Sequence, residues 1–242
     1  MKTVALTVMF TLNLMLTGNV QAQVQQSAWL ASFNTIKTGT KTSIHFDAQL
    51  RSTDQWQQVQ TLLIRPGLNY HFSNHLIISI GYAYIGNRRN LTGVSGLVTE
   101  HRSWEQVLYN HSWKYGLLSH RLRFEQRFLP QLVVENNELE TDGFTAAGRI
   151  RYFFRHLAPF QRKQEFNKGF FAALQNEIFV NLINRYKVNG KHFDQNRFYL
   201  ALGYRLQAKF DLEAGYMNQY VQGSGRTFSN NHILQLAGYL RL

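Results

Sequence analysis

Along most of this chain apolar and polar residues alternate with a period of two, the spacing of a β-strand with one oily and one wet face. Residues 121–128 are among the clearest cases. Arg121, Arg123, Glu125 and Arg127 share one face, and Leu122, Phe124 and Phe128 share the other, with Gln126 a polar intruder. In a soluble sheet the apolar face would turn to a protein core. In a closed barrel set in lipid, that face meets hydrocarbon and the charged face lines the interior.

The same pattern recurs down the chain. Ile44, Phe46, Ala48 and Leu50 alternate with His45, Asp47, Gln49 and Arg51. Leu62, Ile64, Leu68 and Tyr70 oppose Arg65, Gly67 and Asn69, and after a turn at Ser73-Asn74 an outer stripe runs Leu76, Ile78, Ile80, Tyr82, Tyr84. Residues 100–113 are strand-like with an unclear register. Further on, Ile150, Tyr152 and Phe154 oppose Arg149, Arg151 and Arg155, and Gln175 and Glu177 sit on the inner side of the following strand. Phe198 to Leu206 alternate against Arg197 and Arg205, Leu212 and Tyr216 against Asp211 and Glu213, and Leu234 to Leu242 against Gln235, Tyr239 and Arg241.

Connections between these strands alternate between short and long, as in barrels with short periplasmic turns and longer external loops. The long ones are read as 86–98, 130–143, 184–194 and 221–229. Counting from Lys41 predicts a single antiparallel transmembrane β-barrel of about ten strands, an all-β fold with an Arg/Glu-rich lumen. Residues 23–40 hold Trp29 and Phe33 but alternate poorly. They read as a plug or as a first strand that would raise the count to about twelve. The barrel domain is then 41–242.

The first residues supply an export context. Lys2 precedes an apolar run from Val4 to Leu16, and Val20-Gln21-Ala22 offers the small residues of a signal-peptidase site. A removable signal over 1–22, cleaved after Ala22, follows. The run is shorter than the ~20 apolar residues a helical span needs, so strands must do the crossing. A mean hydropathy of −0.30 does not oppose this reading, because lumen-facing residues and loops dilute a barrel's apolar face. Only three prolines occur, as suits a backbone committed to ladders. The formal charge of +12 is not gathered into a nucleic-acid motif. Outer-membrane lipid and lipopolysaccharide phosphates are the expected counterparts, and no nucleic acid is.

The block Gln195-Asn196-Arg197-Phe198-Tyr199, Gly203-Tyr204, Asp211-Leu212-Glu213-Ala214-Gly215-Tyr216 and Asn231-His232-Ile233-Leu234-Gln235-Leu236, with Trp29, Asp47–Arg51 and Arg102–Gln106 in order before it, resembles an uncharacterised outer-membrane barrel family of Gram-negative bacteria. The resemblance implies a fold and the cell outer membrane as location. It carries no activity or catalytic residue, the family being a domain of unknown function.

The inward charges form the main candidate set: Asp47, Arg51, Arg65, Arg121, Arg123, Glu125, Arg127, Arg149, Arg151, Glu177, Arg197, Arg205, Asp211 and Glu213. Barrels of about eight strands are just filled by side chains, so at about ten these long groups should meet and largely plug the lumen. Aromatic girdles are expected from Tyr84, Phe128 and Phe144 at one rim and from Phe72, Trp113, Tyr204 and Phe210 at the other. His101-Arg102-Ser103 has the His-x-Ser spacing of outer-membrane lipid hydrolases, with Glu105 or a cross-strand Glu125 to supply a carboxylate. The remaining histidines show no metal-ligand spacing, and no metal or cofactor is predicted. The reading is a monomeric, non-enzymatic barrel inserted by the barrel assembly machinery, a structural or small-solute barrel with a basic, largely plugged lumen, its functional version a narrow pore in which the excess arginine favours anions. The alternatives are a lipid hydrolase using His101 and Ser103, and a surface-binding protein acting through 86–98 and 130–143.

Overall fold

The computed structural model describes residues 22–161 and 165–242. The expected export signal, apart from Ala22, and the basic pair Arg162 and Lys163 lie outside the described residues. Eleven strands follow one another: β1 (Ala22–Lys37), β2 (Thr42–Ser52), β3 (Val59–His71), β4 (Leu76–Leu91), β5 (Val94–Trp113), β6 (Gly116–Glu135), β7 (Glu138–Pro159), β8 (Gly169–Ile183), β9 (Phe193–Gln207), β10 (Phe210–Gln222) and β11 (Phe228–Arg241). Each pairs antiparallel with its neighbours in sequence, and β1 closes the barrel by pairing with β11.

The count of ten is thus corrected to eleven, and an odd count has a topological consequence. The first and last strands of an odd up-and-down barrel run the same way, so the seam must be parallel. It runs in unbroken register from Ala22↔Phe228 to Thr35↔Arg241. Residues 22–37 are a wall strand, paired to β2 on the other side. Their alternation was hard to read because Trp29 and Ala31 are apolar yet buried in the interior, while Ser32 and Asn34 face outward and bond each other.

Burial is inverted relative to a soluble sheet. Leu30, Leu68, Ile80, Leu202 and Leu236 are each more than half exposed, whereas Arg123 is 0% and Glu125 and Asp47 2% exposed.

Two connections expected to be long loops are continuous ladders. β4 and β5 stay paired up to Leu91↔Val94, and β6 and β7 up to Glu135↔Glu138. Thr92-Gly93 and Asn136-Asn137 turn the chain with positive φ at both positions, the geometry of a tight hairpin. Both faces of these extensions are largely solvent-exposed, so no apolar stripe marks them as strand.

These hairpins also set which residues face inward. Across the Thr92-Gly93 and the Lys114-Tyr115 turns, odd-numbered residues pair with even-numbered ones. The buried face of β5 is therefore even-numbered (Glu100, Trp104, Gln106), while odd numbers point inward on β4 and β6. A register shift between Pro130 and Leu132 inserts one residue and brings β7 back to odd numbers. Proline, without an N–H to give, is well placed at such a bulge.

Candidate functional site

A connected ion-pair lattice fills the middle of the lumen. Glu125 on β6 accepts from Arg149 Nη2 at 2.6 Å and Arg151 Nη1 at 2.5 Å, both on β7. Arg151 continues to Glu177 on β8 at 2.7 Å, and Arg121 reaches the same Glu177 oxygen at 2.7 Å. Arg149 turns its other nitrogen to Asp194 on β9 at 2.6 Å. On the β5 side, Glu100 is shared by Arg102 and Arg127, each at 2.7 Å, and Arg102 also lies 3.5 Å from Glu125.

Smaller pairs complete the interior. Arg155 donates to Glu213 at 2.5 Å, a span from β7 to β10, and Tyr239 on β11 donates to the same carboxylate at 3.2 Å. Arg205 and Arg241 both hold Asp211, at 2.7 and 2.8 Å. Asp47 sits between His45 at 3.1 Å and Arg65 at 3.7 Å. Charges this deeply buried persist only when paired and hydrogen-bonded. The fork of arginine allows each guanidinium to serve two carboxylates at once.

Aromatic rings carry the rest of the packing. Arg149, Arg151 and Arg197 all lie within 5 Å of the Phe179 ring centre, at 4.8, 4.5 and 4.8 Å. Arg123 covers Trp104 at 4.5 Å, and Trp104 meets His45 of β2 edge-on at 5.6 Å. Trp29 carries Arg51 at 4.0 Å and Arg197 at 5.1 Å. An arginine over a ring gains attraction without losing its charge.

The fourteen predicted charges all sit on this interior face. Reading the sequence missed Glu100, Arg102 and Asp194, and it turned Arg155 and Arg241 inward without counting them among the candidates. It also missed that Trp29, Trp104, Phe171 and Phe179 point inward, all of them buried. Phe72, Trp113, Phe128 and Phe144 are exposed on the outer side, with Tyr84, Tyr204 and Phe210 partly covered there. Trp113 packs edge-on against Tyr115 at 5.3 Å, and Tyr204 against Phe170 at 4.7 Å.

The hydrolase constellation does not assemble as expected. His101 and Ser103 share the outer face of β5, but Glu125 points the other way, into the lumen, where Arg149 and Arg151 hold it. Neighbouring strands pair Glu125 with Trp104, an inward residue, so a carboxylate there cannot reach the outer face. On that face Ser103 donates to Gln126 Oε1 at 2.6 Å, Gln126 donates to Glu105 at 3.1 Å, and His101 Nδ1 meets the Tyr82 hydroxyl. Among the described residues no group of three His, Asp or Glu side chains is placed to hold a metal.

Beside the lattice lies a cavity of about 570 Å³, lined by Trp29, Arg51, Arg197, Gln49, Gln219 and Asn189 among others. It reaches the end of the barrel that carries the β8–β9 and β10–β11 connections. There Asn189 folds inward, donating to Phe193 O and Gln222 O at 3.1 and 3.0 Å. Guanidinium groups outnumber carboxylates in its lining.

A family model described as "Protein of unknown function (DUF2490)" matches residues 26–230. An uncharacterized protein of Methylorubrum extorquens (strain AM1) is 26% identical over 203 residues, covering 81% of this chain and 78% of its own length. No solved structure matches.

Proposed function

Because this chain belongs to the DUF2490 family of proteins of unknown function, no activity comes with the match, and we propose its role from the barrel itself: a non-enzymatic outer-membrane β-barrel whose basic lumen is sealed against through-flow and retains a small-solute cavity. The carrying observation is the inversion of burial. A belt of leucine, isoleucine and aromatic side chains faces outward on every strand while arginine and glutamate are enclosed. At roughly 25 cal/mol per Å² of apolar surface, such a belt is strongly unfavourable in water, and a contiguous one marks contact with lipid or protein. Acyl chains satisfy it around the whole circumference. Surrounding lipid, including lipopolysaccharide, and the barrel assembly machinery are the partners this reading requires. The sealed lumen is supported by the lattice from Asp194 to Arg121, in which each guanidinium is held by at least one carboxylate at 2.5–2.7 Å.

Two measurements test it. In fractionated cells the protein should need detergent for release from the outer membrane and should migrate differently on gels before and after boiling. A water-soluble periplasmic species obtained without detergent would overturn the membrane reading. In planar bilayers the inserted barrel should give no steady conductance, and regular current steps would overturn the seal alone.

A further inference from the structure

We propose that the lumenal cavity binds a small hydroxylated anion, of the phosphate-monoester class, between the guanidiniums of Arg51 and Arg197. The inference deepens the sealed-barrel reading and rests on it for the cavity's role. It starts from a difference among the interior arginines. Arg102, Arg121, Arg127, Arg149, Arg151 and Arg155 each lie within 4 Å of a carboxylate. Arg51 and Arg197 have no such partner among the described residues. Arg51 donates Nη2 to the neutral Gln49 at 2.7 Å, and its buried Nε has no partner. Arg197 is the cross-strand neighbour of Glu177 but makes no carboxylate contact within 4 Å; with the Gln219 amide oxygen turned toward it, its Nε and Nη2 lie 3.3 and 3.2 Å from that oxygen.

Both cations are instead fixed by one indole. Trp29 holds Arg51 at 4.0 Å and Arg197 at 5.1 Å. A carboxylate in that place would orient them and cancel their charge. A ring orients them and leaves the charge available. Two guanidiniums without a contacting carboxylate on the wall of a lumenal cavity are costly unless an anion or water answers them. Their planar forks match the oxygens of a phosphate.

The surroundings specify more than a simple ion. A volume of about 570 Å³ lies in the range of small-molecule sites, which run from roughly 300 to 1,000 Å³. Gln49, Gln195, Gln219, Gln235 and Asn189 line it with neutral donors and acceptors suited to hydroxyl groups.

The test is calorimetric titration of the full barrel in detergent with glucose 6-phosphate, inorganic phosphate and glucose at matched ionic strength. Glucose 6-phosphate should bind at least tenfold more tightly than either probe, and Arg51→Gln with Arg197→Gln should weaken it tenfold or more. If phosphate alone binds as well as the sugar phosphate, the hydroxylated class is wrong. If the wild type binds neither anion at millimolar concentration, or the double variant binds equally, the site is wrong. Should the double variant fail to fold, thermal unfolding of the wild type decides: a rise in Tm with glucose 6-phosphate and none with glucose supports the site, and no rise overturns it. A barrel that fractionates with the outer membrane yet binds no anion defeats this inference alone. A barrel found soluble in the periplasm defeats the membrane reading whatever the titration gives.

Discussion

Gly81 on β4 lies directly beside Trp104 on β5, so close that a Cβ on the glycine would stand 2.3 Å from Cζ2 of the indole. Gly67, the partner of Gly81 on β3, leaves the second half of the same slot, with a Cβ there 2.6 Å from the ring. The indole thus lies flat across two strands, its Nε1 donating to Tyr82 O at 3.1 Å. Gly81→Ala would also press on the Pro66 carbonyl at 2.4 Å, which backbone cannot easily yield. Overpacking of this kind costs about 1–3 kcal/mol. The urea midpoint of the detergent-held barrel should fall accordingly. Trp104→Leu in the same chain should recover part of the loss, and full additivity of the two changes would contradict the contact.

Glu177 neutralises Arg121 and Arg151 together, and no other carboxylate lies within ion-pair distance of Arg121 among the described residues. Glu177→Gln keeps the shape and removes the charge. The cost should be about 3–5 kcal/mol, the penalty of a buried ion that has lost its partner. Replacing Arg121 by Met in that background removes the stranded cation and should restore most of the stability. Chemical denaturation of the single and double variants measures both, and a Glu177→Gln barrel as stable as the parent would show that the lattice contributes little.

What could be read in advance followed the apolar side. Wherever outward residues were mostly oily, as in 121–128 or 198–206, the inward partners were correctly placed by parity alone. The reading failed where the outward face was itself polar. On β5 the outward residues include His101, Ser103 and Glu105, so Glu100 and Arg102 could not be told from them by alternation, and the even-numbered register stems from a two-residue turn inside what looked like a loop. On β1 the failure is the converse, with Trp29 and Ala31 apolar on the inside. The pairing that distinguishes neutralised from unneutralised arginines spans strands far apart in sequence, and no local pattern encodes it. Arg149–Asp194 and Arg155–Glu213 are separated by 45 and 58 residues.

The outer-face cluster leads to an expectation about catalysis. A serine nucleophile needs a base positioned to take its proton. Here the Ser103 hydroxyl is committed to Gln126, and the His101 ring nitrogen meets Tyr82. Purified barrel in phospholipid mixed micelles, with and without calcium, should therefore release no acyl chains, and a fluorophosphonate probe should leave Ser103 unlabelled. Stoichiometric labelling that disappears in Ser103→Ala would reverse that conclusion.

The parallel seam can be tested by chemistry the native chain does not interfere with, since it contains no cysteine. Leu30 on β1 and Leu236 on β11 are register partners, both on the outer face. Adjacent strands lie about 4.8 Å apart, within the Cα separation a disulfide tolerates. Leu30→Cys with Leu236→Cys should crosslink under mild oxidation and give a band that keeps its folded mobility after heating without reductant. An antiparallel or unpaired β1 predicts otherwise. In the parallel register Leu30→Cys with Leu240→Cys places the thiols four residues out of step, roughly 13 Å along the strand, and should not crosslink. Equal crosslinking in both pairs would mean that β1 slides or swings free. Because parallel ladders are slightly less stable per residue than antiparallel ones, this seam is also where opening should begin. The Leu30–Leu236 crosslink should then raise the unfolding temperature more than an equivalent bond between β9 and β10, such as one at Leu202 and Ala214, which are paired across an antiparallel ladder.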